Sequence, residues 1–327
     1  MFGFRLEGRR LSKIDPILGM TAYLMPQRCD AQVMTPQEID YDKVARYIQE
    51  QRDKGRVISF MSIIIAAYVR VVAQYPEINR FVVNKQIYAR DEIAVSFMVL
   101  KRGEGEDVDA SAVKVKFDPR DTIFDVAERI EAAIAENRNP PPSGNATERI
   151  ARFILAAPFV PTVLVGLLRL LDRYGVMPKP IIDASPFHTS LFVTNMASLG
   201  INYIYHHIYN FGTTSVFISI GKIHRAPVAN LKGETIIRRV IPIGVVGDER
   251  ICNGAAYARV YALWRKLAEN PKMLETPPEI VKTEVVGTPE WVRNPKAKAT
   301  ASSGAAEQSG DASADTAAET AGSTAEN

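Results

Sequence analysis

Asp248-Glu249-Arg250-Ile251-Cys252-Asn253-Gly254-Ala255 stands between two stretches of opposite pattern. Before it, residues 236–247 read as a strand, apolar from Val240 onward. After it, Val260, Leu263, Trp264 and Leu267 recur at helical spacing, the stripe of a helix from about Asn253 to Glu269 that Pro271 follows. The quoted residues therefore join a strand to an amphipathic helix.

Working outward, strands and helices alternate. Gln32–Asp40 reads as a strand, and Asp42 opens a helix with Val44, Tyr47 and Ile48 on one face, stopped by Gly55. Ser59 is the expected cap of a second helix, Phe60–Gln74, too apolar for a surface helix and ended by Pro76. Residues 93–101 and 112–117 read as strands; the second alternates Val113, Val115 and Phe117 with Lys114 and Lys116. Asp121 or Thr122 caps a third helix with Ile123, Val126, Ile130 and Ile134 in one stripe. Residues 189–195 and 214–222 complete the strands.

Residues 153–168 are apolar and small, interrupted by Pro158 and Pro161. The run is shorter than the ~20 residues a membrane-spanning helix needs. Two readings stay open: a buried helical hairpin, or a hairpin that meets a membrane or partner, with Arg149, Arg152, Arg169 and Arg173 suited to anionic headgroups. From Ala299 onward there is no Leu, Ile, Val or aromatic residue, so a disordered tail is expected, with residues 1–283 as the folded domain, an apolar insert at about 140–186, and 284–327 as the tail.

Hydrophobic residues make up 46% and charged residues 24%, as in globular proteins. Five acids and no base follow Lys298, so the net +3 of the chain is a +8 body and a −5 tail. A basic body suits a phosphorylated cofactor or an acidic membrane surface, or is simply a solvated surface. Two cysteines, Cys29 and Cys252, make neither a disulfide scaffold nor a four-ligand zinc site, which points to a cytoplasmic setting. There is no secretory signal, Gly-rich phosphate loop, Gly-x-Ser-x-Gly, metal-ligand spacing or basic-aromatic interleaving for nucleic acid.

Four local patterns carry a family resemblance. They are residues 33–40 before a helix, Tyr75-Pro76-Glu77-Ile78-Asn79, Phe192-Val193-Thr194-Asn195-Met196-Ala197-Ser198-Leu199-Gly200, and the quoted Asp248–Ala255 stretch before a helix ending Glu-Asn-Pro. In this order they resemble the catalytic domain of the 2-oxoacid dehydrogenase acyltransferases (dihydrolipoamide acyltransferases), over about residues 9–277. The resemblance implies an α/β, chloramphenicol acetyltransferase-like two-layer domain with a mixed, largely antiparallel sheet. It also implies a homotrimer with the active site between neighbouring subunits, and a tunnel admitting coenzyme A from one side and a dihydrolipoyl group from the other. In that family a histidine takes the thiol proton and a Ser or Thr hydroxyl steadies the oxyanion.

This chain departs from the family at Glu249, where the histidine stands, and at Asn253, where the family has Asp. It begins almost at the catalytic domain and shows no lipoyl domain, so the ordinary core of a dehydrogenase complex is not expected. Thr194 matches the hydroxyl position. The candidate catalytic residues are thus Glu249, Thr194 and His207, with Asn195, Ser198, His206 and Asn253 as substrate or cofactor contacts. A carboxylate near its ordinary ~4.3 is a poorer base than an imidazole near ~6.5 by roughly 3 kcal/mol, about a hundredfold in rate. Burial narrows that gap. The alternative for Glu249 is a structural pair with Arg250 or Arg259. His206 and His207 are either a hydrogen-bonded structural pair or, for His207, a second candidate base, and Cys252 reads as a packing residue.

The expected activity is acyl transfer from acyl-coenzyme A to an alcohol, amine or thiol, with no metal. The alternative is an inactive trimeric binding or scaffold protein that keeps the fold. Peripheral membrane contact through residues 153–168 is a further expectation, and no nucleic-acid partner is expected.

Overall fold

In the computed structural model, which describes residues 5–100, 110–138, 159–229 and 232–284, local capping sets most of the element starts. Strand β1 (Gly8–Arg10) leads to α1 (Pro16–Leu24). Asp15 caps that helix by accepting from the Leu18 amide, and Pro16 fixes its first turn. Strand β2 (Gln32–Asp40) has its expected bounds. Asp40, rather than Asp42, caps α2 (Tyr41–Asp53), accepting from the amides of Asp42 and Lys43. Its extended backbone lets the carboxylate fold back over the first turn. Ser59 caps α3 (Phe60–Gln74), whose Ile63, Ile64 and Ile65 are all fully buried.

Strands β3 (Arg80–Val83) and β4 (Gln86–Arg90) form a hairpin turned by Asn84 and Lys85, both at positive φ. β5 (Ile93–Leu100), β6 (Ala110–Phe117) and α4 (Ile123–Arg138) follow. Next come α5 (Val160–Tyr174) and α6 (Lys179–Ala184). The chain then forms β7 (Leu191–Asn195), β8 (Val216–Ile220), β9 (His224–Ala229), β10 (Thr235–Asp248) and α7 (Gly254–Glu269).

Of the hairpin expected near residues 153–168, buried or facing a membrane or partner, only the second part lies among the described residues. The described part is one helix, α5, that runs on to Tyr174. Pro161 lies in its first turn, where a missing N–H costs nothing. Residues 153–158 and the expected tail from 285 onward lie outside the described residues.

The larger sheet has the order β2-β10-β8-β7-β5-β6, with β9 on the first half of β10. β7 runs parallel to β5 and to β8, and the other pairs are antiparallel. This is the mixed, largely antiparallel sheet the sequence implied. The smaller sheet is β1-β4-β3. Helix α3 packs with α4 and α7, and the Trp264 indole N–H donates to the Ile64 carbonyl at 3.3 Å.

Two glycines show what covers the faces of β10. A side chain at Gly244 would collide with the Tyr203 ring, on a strap of residues 201–209. One at Gly247 would collide with Tyr257 of α7. Alternation along a strand puts these two positions on opposite faces, so the strap covers one side and α7 the other. Coverage from both sides explains why β8 and the second half of β10 are apolar and buried.

Candidate active site

β10 ends in Asp248, and the chain turns sharply through Glu249 and Arg250 into α7. Asp248 and Arg250 are buried and joined twice, Nε to Oδ1 at 2.8 Å and Nη2 to Oδ2 at 2.7 Å. Arg250 also donates to the Met25 carbonyl at 2.9 Å. Arg28 brings a second guanidinium within 3.6 Å of Asp248 and ties in three carbonyls, those of Tyr209, Gly212 and Val82. Burial lowers Arg28 to about 10, against the pull of Asp248. The Tyr257 hydroxyl donates to the Asp248 carbonyl at 2.8 Å, and the Glu249 amide donates to the Ala31 carbonyl at 2.9 Å.

The Glu249 backbone is thus fixed on both sides, while its carboxylate has no hydrogen-bond or ion-pair partner among the described residues. This corrects the structural pairing considered for it. Arg250 is spent on Asp248, and Arg259 lies 4.0 Å from Glu77 instead.

Glu249 lines a cleft of about 760 Å³ with Leu18 and Thr21 of α1, Thr35 of β2, Cys252, Asn253 and Tyr261. Such a volume suits a small-molecule site. Burial pushes the Cys252 thiol and the Tyr261 phenol each up to about 12, and Tyr257 well above its ordinary value. None of the three is a base near neutrality. Cys252 is buried, as a packing residue should be. Asp15, the other carboxylate of the cleft, caps α1. Asn253 caps α7, its Oδ1 accepting from Ala256 at 2.9 Å, which leaves its amide N–H₂ to the cleft.

The other predicted residues lie elsewhere. Thr194 is level with Ser219 of β8, which is level with Gly244 of β10. Gly244 precedes Glu249 by five residues, so Thr194 and Glu249 are separated by roughly 16 Å along the strands, at ~3.3 Å per residue. The Thr194 Oγ1 is buried and has no hydrogen-bond partner among the described residues. Asn195 and Ser198 are exposed beside it, with the Ser198 hydroxyl donating to the Asn195 carbonyl at 2.6 Å.

His206 and His207 belong to the strap. His206 stacks on Phe217 with ring centroids 4.5 Å apart, and its Nε2 is buried without a partner. Burial and then His207 lower its pKa. His207 is exposed. The pair is not mutually hydrogen-bonded, and neither residue lines the Glu249 cleft. One chain therefore unites Glu249 with Asn253 and leaves Thr194, Asn195, Ser198, His206 and His207 outside that cleft.

The sequence reading missed α1 as a wall of the cleft, although Asp15-Pro16 is a helix-start signal. It also missed Arg28, which no local pattern connects to Asp248. A second buried cluster joins Glu7, Asp172 and His188, close enough together to share a cation. Arg5 donates to both carboxylates there and so places one positive charge between them.

Residues 188–275 match the catalytic domain of the 2-oxoacid dehydrogenases acyltransferase family. That segment contains every candidate catalytic residue, so the resemblance read from the sequence holds where the site is built. A search of curated proteins returns no match. Solved acyltransferase structures share the fold. A probable dihydrolipoamide acetyltransferase from Listeria monocytogenes 4b F2365 is 13% identical, with TM-score 0.50, covering 79% of this chain and 93% of its own. The cubic core of a pyruvate dehydrogenase multienzyme complex is 12% identical, with TM-score 0.51 and coverage of 81% and 94%. The dihydrolipoamide acetyltransferase of Azotobacter vinelandii is 11% identical, also with TM-score 0.51 and coverage of 81% and 94%. That structure concerns the role of a serine, a histidine and an asparagine in the enzyme's catalytic mechanism, the last two four residues apart.

Proposed function

We propose that this acyltransferase-like chain moves an acyl group from an acyl-coenzyme A donor to a nucleophilic acceptor, with Glu249 as general base. The observation that carries the reading is the Glu249 carboxylate, free of partners in a cleft and rigidly mounted by the Asp248–Arg250–Arg28 network. The acceptor thiol, alcohol or amine gives its proton to Glu249 as it attacks the thioester carbonyl. The tetrahedral intermediate then expels the coenzyme A thiolate, which takes the proton back. Glu249 and Asn253 keep the four-residue spacing of the histidine and asparagine of the Azotobacter vinelandii enzyme.

Thr194 supplies an unpartnered buried hydroxyl of the kind that steadies an oxyanion. Since it lies far from Glu249 within one chain, the working site needs Thr194 of one subunit near Glu249 of the next. A homotrimer of the family type provides that arrangement.

The same separation supports a second reading, a trimeric binding protein that keeps the fold without turnover. The deciding experiment is to incubate the purified chain with acetyl- and longer acyl-coenzyme A and candidate acceptors, and to follow free thiol. Glu249→Gln, Thr194→Ala and His207→Ala are run beside wild type. Thiol release lost in Glu249→Gln and Thr194→Ala supports the enzyme. Loss in His207→Ala alone moves the base to the strap. Binding without release, across all acceptors, sinks catalysis and leaves the binding protein.

A further inference from the structure

Helix α5 is apolar on two sides. Leu164, Leu168 and Leu171 turn inward and pack with Met177, Ile182 and Phe211. Phe159, Val163, Leu167, Leu170 and Tyr174 turn outward, between 42% and 83% exposed. Their spacing of three and four residues sets them in one continuous stripe. A helix that had only to cover a core would put charges there.

Cations border the stripe. Arg169 and Arg173 stand one turn apart on the neighbouring strip of helix surface. Arg169 has no hydrogen-bond or ion-pair partner among the described residues, and Arg173 reaches only Asn84, at 3.3 Å. Both line a cleft of about 390 Å³ with Lys85 of the β3–β4 turn. Among the described residues Asp172 is the only carboxylate lining that cleft, and it is already paired with Arg5 and lies beside His188.

We propose that this face rests on an anionic lipid bilayer. The stripe lies among the upper acyl chains, and Arg169, Arg173 and Lys85 sit at the headgroup phosphates. At 15 residues the helix is ~22 Å long, suited to lying in the interface, and no described helix is long and apolar enough to cross a membrane. Apolar area and basic charge together give the two signals that stable surface binding needs. A second copy meeting this face in a two-fold contact would bring the unpaired arginines against their own counterparts. An anionic bilayer satisfies stripe and charges at once. The site extends the expected contact region beyond Leu168, which itself turns inward.

The test is co-sedimentation of the full chain with vesicles of phosphatidylcholine alone and of phosphatidylcholine mixed with phosphatidylglycerol. The chain is expected to pellet with the mixed vesicles only, less so at high salt. Leu167→Asp combined with Leu170→Asp is expected to abolish pelleting, and Arg169→Glu combined with Arg173→Glu to weaken it about tenfold or more. All four positions are exposed, so circular dichroism and native mass are expected to stay at wild-type values. A chain that stays in the supernatant with both vesicle types overturns the proposal. So does a Leu167→Asp, Leu170→Asp variant that pellets normally but loses its oligomeric state, which would make the stripe a subunit contact.

Discussion

The Asp248 end of β10 and the Thr194 position on β7 are built on opposite terms. At the Asp248 end, a buried carboxylate is gripped by Arg250 and neighboured by Arg28, and Glu249, whose carboxylate has no partner among the described residues, faces a cleft. Two strands away on β7, level with Gly244 of β10, the buried hydroxyl of Thr194 has no hydrogen-bond partner among the described residues. A buried hydroxyl without a hydrogen bond costs stability, so its persistence calls for another reason. The contrast teaches that the Asp248 end is satisfied within a chain, while the Thr194 hydroxyl is left unsatisfied among the described residues.

The largest effect expected is on the Asp248 end. Arg250→Ala strands a buried carboxylate and is expected to cost about 3–5 kcal/mol in urea unfolding. A loss under about 1 kcal/mol would mean that the network does not hold the turn. Glu249→Gln comes next. Having no partner to lose, it is expected to shift stability by less than about 0.5 kcal/mol. Its acyl-transfer rate is expected to fall about a hundredfold or more. Smaller again is Thr194→Val, which removes the unpartnered hydroxyl while nearly keeping its shape. Stability is expected to hold or rise by about 1 kcal/mol while turnover drops; a clear loss of stability would show that the hydroxyl is bonded after all.

The smallest effect concerns pH. Burial alone would raise the Asp172 carboxyl, but His188 and Arg5 outweigh it and hold the group below the usual carboxylate range. A depressed carboxyl stabilises the fold above its unfolded value and loses that contribution as pH falls toward its folded value. The gap in urea midpoint between wild type and Asp172→Asn is therefore expected to stay level near neutrality and to narrow below about pH 4. A gap that stays constant down to about pH 2 would argue that Asp172 is not ionised in the fold.

Legibility in the sequence followed the range of the interactions. Ser59 and the apolar run after it announce α3 because the cap and the first turn are adjacent in sequence. The β3–β4 hairpin escaped notice because its strands are short and its turn is Asn84-Lys85, not Asn-Gly. In α5 the interrupting Pro161 stands in the first turn of the helix, since a proline that stops one segment is also suited to starting the next. For the site, the Asp248–Ala255 stretch pointed to Glu249. Its mounting depends on Arg28, some 220 residues earlier in the chain, and that pairing exists only once the sheet has formed.

The most direct measurement is coenzyme A thiol release from acetyl-coenzyme A with dihydrolipoamide as acceptor, for wild type, Glu249→Gln and Glu249→His. Wild type is expected to turn over, and Glu249→Gln to lose about a hundredfold or more with its urea midpoint unchanged. An inert wild type beside an active Glu249→His would contradict the role given to Glu249, showing a fold that kept its cleft and lost its base.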